Sequence, residues 1–317
     1  MSAPASTTRP PSCFRRGVAR AVAAVSARWP ARGKWRVRHA VHRLANQYDL
    51  SVNSRLPVRR LGLHWELNPH DLVDRDLFWH GGWEPQETNL IAALVKPGHT
   101  ILDVGANFGY FSLTTVKLLR GACAIHAFEP NPPTYARLVR HLSLNRITSV
   151  TPHNLGLGNQ PAKLYLCVDP ENSGASYLTT TPPSAGAPAA VVEVVTLDAF
   201  VRQQALSKID FVKVDVEGFE CFFLDGAAET LKRFAPAIMI ECHPGTLARN
   251  QQTPASLYER LRNLGYRYFW ICAAGEIVKF TPGIFEPSHP HYDAAADYYN
   301  VFCFQSLPAD VRGPAQT

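Results

Sequence analysis

Two groups of residues in this 317-residue chain have types and spacings that could do chemistry. The first is Ile101-Leu-Asp-Val-Gly-Ala-Asn-Phe-Gly109, an aliphatic run that carries one carboxylate, Asp103, into a turn built on Gly105 and Gly109. Such a turn offers backbone N–H groups at a helix start and, with the carboxylate, can hold a small charged ligand. Glu129 closes the next aliphatic run, where a carboxylate can accept two hydrogen bonds from ribose hydroxyls. The second group is Lys213-Val-Asp-Val-Glu-Gly218 together with Glu241-Cys-His243. Strand alternation puts Lys213, Asp215 and Glu217 on one side. His243 is the best single base by intrinsic pKa, and Asp215 could orient a reacting hydroxyl or take its proton. Lys213 is equally suited to pairing with a carboxylate inside the fold, and Glu217 to capping the turn at Gly218.

These residues need a frame that brings chain-distant segments to one edge. Strand-forming residues at 100–104 lead to a helix over 108–119, a second strand at 124–129, a helix from 131 to about 145 and a third strand near 149–155. This β-α-β-α-β run with short links is the pattern of a parallel sheet. Residues 163–168 and 191–195 are rich in strand formers and flank a Pro/Ala/Gly stretch at 181–189. They predict a hairpin flap, with a mobile tip, inserted at the sheet edge. Asn172, Ser173 and Ser176 on it could cover an acceptor. A short helix over 198–204, a strand at 209–214, a helix over 226–234, a strand at 237–240, a helix over 254–264 and strands at 266–271 and 299–304 complete a doubly wound, seven-stranded sheet. Upstream, residues 56–68 predict a strand pair, residues 71–86 a loop carrying Trp79 and Trp83, and residues 88–95 a short helix ended by Pro97-Gly98.

Composition bounds the classes. Apolar residues make up 46% of the chain, enough for a sizeable core, and no apolar run reaches the ~18 residues a membrane span needs. The net charge is +6, yet residues 1–48 hold ten Lys/Arg and no Asp or Glu, which leaves about −4 for the remainder. The folded part therefore lacks the basic balance of a nucleic-acid binder. The basic segment reads as a tail with at most a weak contact to a membrane surface or an acidic partner. Seven cysteines in no C-x-x-C pair favour a reducing compartment, and the localisation expected is cytoplasmic. The domains expected are the tail 1–48, an accessory segment 49–95 and a catalytic domain 96–317.

A pyrophosphate would be repelled by Asp103, whereas the ammonium of S-adenosylmethionine would be attracted by it. Asp103-Val-Gly-Ala-Asn-Phe-Gly109, Phe128-Glu-Pro-Asn131, Lys213-Val-Asp-Val-Glu-Gly218 and Glu241-Cys-His243, in this order over roughly residues 80–305, resemble the FkbM-type S-adenosylmethionine-dependent methyltransferases. The resemblance implies a class I, Rossmann-like methyltransferase fold whose last strand is antiparallel. It implies O-methylation of a hydroxyl on a saccharide, polyketide or related metabolite, and so a small-molecule or glycan acceptor. It places Asp103, Gly105, Asn107 and Gly109 around the methionine part, Glu129 and Asn131 at the ribose, Asn154 at the adenine edge and Glu84 near the amino-acid end. Asp215, Glu217 and His243 fall to the acceptor side. Asp215, Glu217, Glu241 and His243 could converge on a cation, but no metal is expected. The alternatives are a nicotinamide-dependent oxidoreductase, disfavoured by Asp103 and by the missing G-x-G-x-x-G, and a non-catalytic methyltransferase-like binding domain.

Overall fold

The computed structural model describes residues 55–308 except 83, 170–171, 184–188 and 274–275. The basic tail, Trp83 and the centre of the 181–189 stretch lie outside the described residues. The chain divides into two compact units, Met1–Trp83 and Glu84–Thr317.

In the first unit, β1 (Leu56–Arg60) pairs antiparallel with β2 (Leu63–Leu67) across a left-handed Leu61-Gly62 turn. Alternation buries Leu56, Val58, Leu63, Trp65 and Leu67. The buried Arg60 guanidinium donates to Phe78 O at 3.0 and 2.7 Å. The loop expected over 71–86 is instead largely the helix Leu72–His80. Asp71 caps it by accepting from Val73 N and Asp74 N, and Gly81 ends it at φ 77°. Both are ordinary helix-terminus signals. Trp79 is buried in this unit, edge-on to Phe78.

The second unit is built on β3 (His99–Val104), β4 (Cys123–Phe128), β5 (Val150–His153), β10 (Phe211–Val214), β11 (Ala237–Cys242), β12 (Tyr268–Ala273), β13 (Glu276–Lys279) and β14 (Tyr299–Phe304). Among the described residues the sheet order is β13-β12-β14-β11-β10-β3-β4-β5. The β3, β4, β5, β10 and β11 pairs are parallel, whereas β14 runs antiparallel to both β11 and β12. This is the doubly wound class I methyltransferase sheet with a reversed last strand. It has one strand more than the seven expected, because Glu276–Lys279 folds back on β12 as an edge hairpin. Strands buried on both faces, such as Phe211-Val-Lys-Val214, need continuous apolar runs rather than alternation.

The predicted flap is a four-stranded sheet in the order β6-β9-β7-β8, made by β6 (Gly156–Leu157), β7 (Ala162–Cys167), β8 (Tyr177–Thr179) and β9 (Ala189–Val195). The expected hairpin is its β7/β9 pair. Its inner face, Leu164, Leu166, Leu178, Val192 and Val194, packs with Phe219, just beyond β10. Two further helices, Glu220–Asp225 and Pro244–Arg249, follow β10 and β11. The strand order reverses between β3 and β10, so the crevice beyond their carboxyl ends is where an open α/β sheet binds its ligand.

Candidate active site

The turn after β3 is tied to the ends of its neighbours. Gly105 has φ 77°, and a Cβ there would run into the backbone oxygen of Asp215. Glycine is therefore what lets the β3 and β10 ends approach. Gly105 N and Ala106 N donate to Phe128 O, at 3.0 and 2.9 Å. Asn107, left-handed at φ 48°, donates its N–H to Glu129 Oε2 at 2.8 Å and accepts from Phe108 N through Oδ1. Gly109 N donates to Ala106 O, and its φ of 94° opens the helix Tyr110–Leu118. The turn N–H groups are thus engaged within the fold, and the turn contributes shape rather than the free donors expected of it.

Glu129 is the knot of this region. Its two oxygens accept from Asn107 N and Asn131 N, at 2.8 and 2.9 Å, which fixes the carboxylate and leaves each oxygen a further lone pair. Burial pushes its carboxyl up to about 7, against the lowering effect of those two N–H bonds. Asn131 opens the helix Pro132–Leu144 without capping it, and its buried Oδ1 has no hydrogen-bond partner. Asn154, at the end of β5, donates Nδ2 to Glu129 O and Pro130 O, at 2.8 and 3.0 Å. It holds the loop that carries Glu129.

Asp103 is completely buried and has two partners inside the chain. Ser112 Oγ donates to Oδ2 at 2.6 Å, and Lys213 Nζ stands 3.8 Å from Oδ1. Oδ1 itself accepts no hydrogen bond. Lys213 also donates to Gly105 O at 3.0 Å and pairs with Asp215 Oδ2 at 3.1 Å. Burial alone would lower this ammonium, but Asp215 and Asp103 beside it carry it above its ordinary value. Of the two readings left open for Lys213, the structure shows the internal ion pair.

At the carboxyl ends of β10 and β11, oxygens of Asp215, Glu217 and Glu241 come within 4.8 Å of one another. His243 is not in this group. Its Nδ1 accepts from Gly245 N at 3.0 Å and Thr246 N at 3.4 Å, capping the helix Pro244–Arg249. With Nδ1 accepting, the neutral ring carries its proton on Nε2 and presents a donor there. Burial lowers its pKa, favouring that neutral form. The turn at Gly218 is held by Glu220, whose Oε1 accepts from Val216 N at 3.1 Å and Gly218 N at 3.3 Å. Glu217, suggested for that task by its position, instead faces the cluster. Burial first, then Asp215 and Glu220, push its carboxyl up to about 8. Burial first, then Asp215 and Glu217, raise Glu241 well above its ordinary value.

Tyr298 joins these parts and went unnoticed in the sequence. Its hydroxyl donates to Glu84 Oε1 at 2.8 Å, and its ring stacks on His243 at 6.2 Å. An aromatic just ahead of a strand carries no distinguishing signal. Burial raises the Glu84 carboxyl to about 7. Arg249, at the end of the helix Pro244–Arg249, lies 4.7 Å over the ring of Tyr177 on the flap, where the buried Ser176 Oγ has no hydrogen-bond partner. Asn172 accepts from Gly174 N and shapes the flap's own turn.

The family description "Methyltransferase FkbM domain" matches residues 103–268, just over half of the chain. Methyltransferase 1 of Beauveria bassiana is 32% identical over 143 residues, covering 40% of this chain and 57% of that protein. The hexuronic acid methyltransferase AglP of Haloferax volcanii is 28% identical over 162 residues, covering 51% of this chain and 63% of that protein. The chain thus spans less than two thirds of the length of these curated relatives. Among solved structures, a methyltransferase FkbM from Methylobacillus flagellatus aligns at 16% identity with a TM-score of 0.40, covering 66% of this chain and 44% of that one.

Proposed function

Because the chain belongs to the FkbM methyltransferase family, we propose that it methylates a hydroxyl of a saccharide, polyketide or related metabolite, with S-adenosylmethionine as donor. The observation that carries this reading is the rim beyond β3, β4 and β10. There Glu129 is held with lone pairs to spare, Asn131 Oδ1 is buried without a partner, and Asp103 Oδ1 accepts no hydrogen bond. Buried acceptors left open in this way suit the ribose hydroxyls and ammonium of the donor. Residues fixed on strand ends suit its placement as well. When bound, the donor supplies an already activated methyl group.

The chain then has two tasks. It holds the acceptor oxygen in line with the methyl, where positioning alone is worth several kcal/mol of barrier, on the order of 7 or more in favourable cases. It also receives the hydroxyl proton. Asp215 and Glu217 face the acceptor side and take that second task. In this reading His243 Nε2–H donates a hydrogen bond to the acceptor instead of serving as the base, because its other nitrogen is occupied by the helix cap. Glu84, fixed by Tyr298, closes the amino-acid end of the site. The name of the Haloferax volcanii relative, a hexuronic acid methyltransferase, favours a sugar acceptor.

Calorimetric titration with S-adenosylmethionine tests the reading. The expected result is one site per chain, weakened at least about 100-fold by Glu129→Ala. A folded wild-type protein that shows no binding would overturn it. Labelled donor and a panel of free sugars, uronic acids and polyketide alcohols then identify the acceptor.

A further inference from the structure

We infer that Asp215, Glu217 and Glu241 form a binding site for one hard divalent cation, of the Mg2+ or Mn2+ kind. The sequence reading counted no metal, since spacing along the chain cannot show that the ends of β10 and β11 bring these three together.

The first support is distance. One carboxylate oxygen from each residue lies within 4.8 Å of the other two. Two oxygens on one cation, each held at about 2.1–2.4 Å, stand at most about 4.8 Å apart, so these separations fall within the span that a shared ion allows. The second is an unsatisfied acceptor. Glu241 is 8% exposed, and its Oε2 is buried with no hydrogen-bond partner. Burying a carboxylate oxygen without a partner is costly, and an ion at the cluster removes that cost. The charges that bear most strongly on Glu241 are Asp215, Glu217, Glu220 and Glu84, all acidic.

The third support is charge. Two cations bear on Glu217, Arg249 and Lys213; Arg249 lies over the Tyr177 ring, and Lys213 is committed to Asp103, to Gly105 O and to Oδ2 of Asp215. That leaves Oδ1 of Asp215 for an ion. Asp215 and Glu217 are partly exposed, which gives an ion a way in. An all-oxygen donor set selects a hard cation over thiophilic metals.

The site stands whether or not the chain transfers methyl groups, so its test is separate. Chelator-treated full-length protein is titrated with Mn2+ alone, followed by the loss of the free-ion electron paramagnetic resonance signal. One saturable site is expected, weakened at least tenfold by Glu241→Gln and by Glu217→Gln, with Mg2+ competing for it. Thermal melts establish that each variant folds. Should the buried Glu241→Gln variant fail to fold, the partly exposed Glu217→Gln decides the matter. Absence of a saturable Mn2+ site in the wild type, or unchanged affinity in a folded variant, overturns the inference. Loss of S-adenosylmethionine binding with Mn2+ binding intact would count against the proposed function alone.

Discussion

Single residues in this site do more than their types suggest. Asp103 looks like a ligand carboxylate in the sequence; in the fold Ser112 takes Oδ2 and Lys213 stands 3.8 Å from Oδ1, which still accepts no hydrogen bond. Glu129 follows a buried strand and fastens the β3 turn to the loop after β4. Glu84 gives a prediction at this scale. Burial raises its carboxyl from 4.5 to about 7, so the native chain keeps a proton that the unfolded chain releases in that window. The stability from this group is full below about pH 4.5 and lost as pH rises through about 7. Glu84→Gln keeps an acceptor for Tyr298 and does not titrate. Denaturant melts should show wild-type stability falling relative to Glu84→Gln by about 2 kcal/mol between pH 5 and pH 8. Parallel curves would show that Glu84 is not buried in its charged state.

Elements set which of these residues meet. The sheet order puts β3 between β4 and β10, so the turns at Gly105, Glu129 and Asp215 share one rim although 112 residues separate Asp103 from Asp215. The rim depends on glycines where loops touch. A Cβ at Gly105 would strike Asp215 O, and one at Gly218 would strike Thr246 O, with φ of 77° and 97° at the two positions. Gly105→Ala is therefore expected to lower stability by about 3 kcal/mol or more, through clash and left-handed backbone together. It should also weaken S-adenosylmethionine binding, because it pushes the β3 and β10 ends apart. A variant that melts and binds like the wild type would contradict the close approach. The strands and most helices were legible from period and breakers. The helix Leu72–His80 is bracketed by Asp71 and Gly81, yet Trp79 and the glycines at 81 and 82 read as a loop in the sequence. The four-stranded flap was read as a hairpin because β6 and β8 have only two and three residues, too few for a period to show.

Across the whole molecule, charge is divided unevenly. Residues 1–48 hold ten Lys/Arg and no acid, whereas the rest is mildly acidic. Among the described residues no helix is long and apolar enough to cross a membrane. If the basic segment makes an electrostatic contact, a chain lacking residues 1–48 should lose sedimentation with anionic lipid vesicles, as the intact chain should near 0.5 M salt on the order of a few-ångström screening length. Its affinity for S-adenosylmethionine should stay within about twofold of the intact chain. Equal sedimentation of both chains would assign the contact elsewhere. The sequence by itself determined the parallel core of the sheet and the family, because strand period, glycine turns and strand-end carboxylates are local patterns. Tertiary structure alone decided the partners of the site residues: that Lys213 stands beside Asp103, that Tyr298 fixes Glu84, that His243 spends one nitrogen on a helix cap, and that Asp215, Glu217 and Glu241 converge while His243 stands apart. Burial and charge pairing depend on distances across the sheet, and spacing along a chain does not encode those distances.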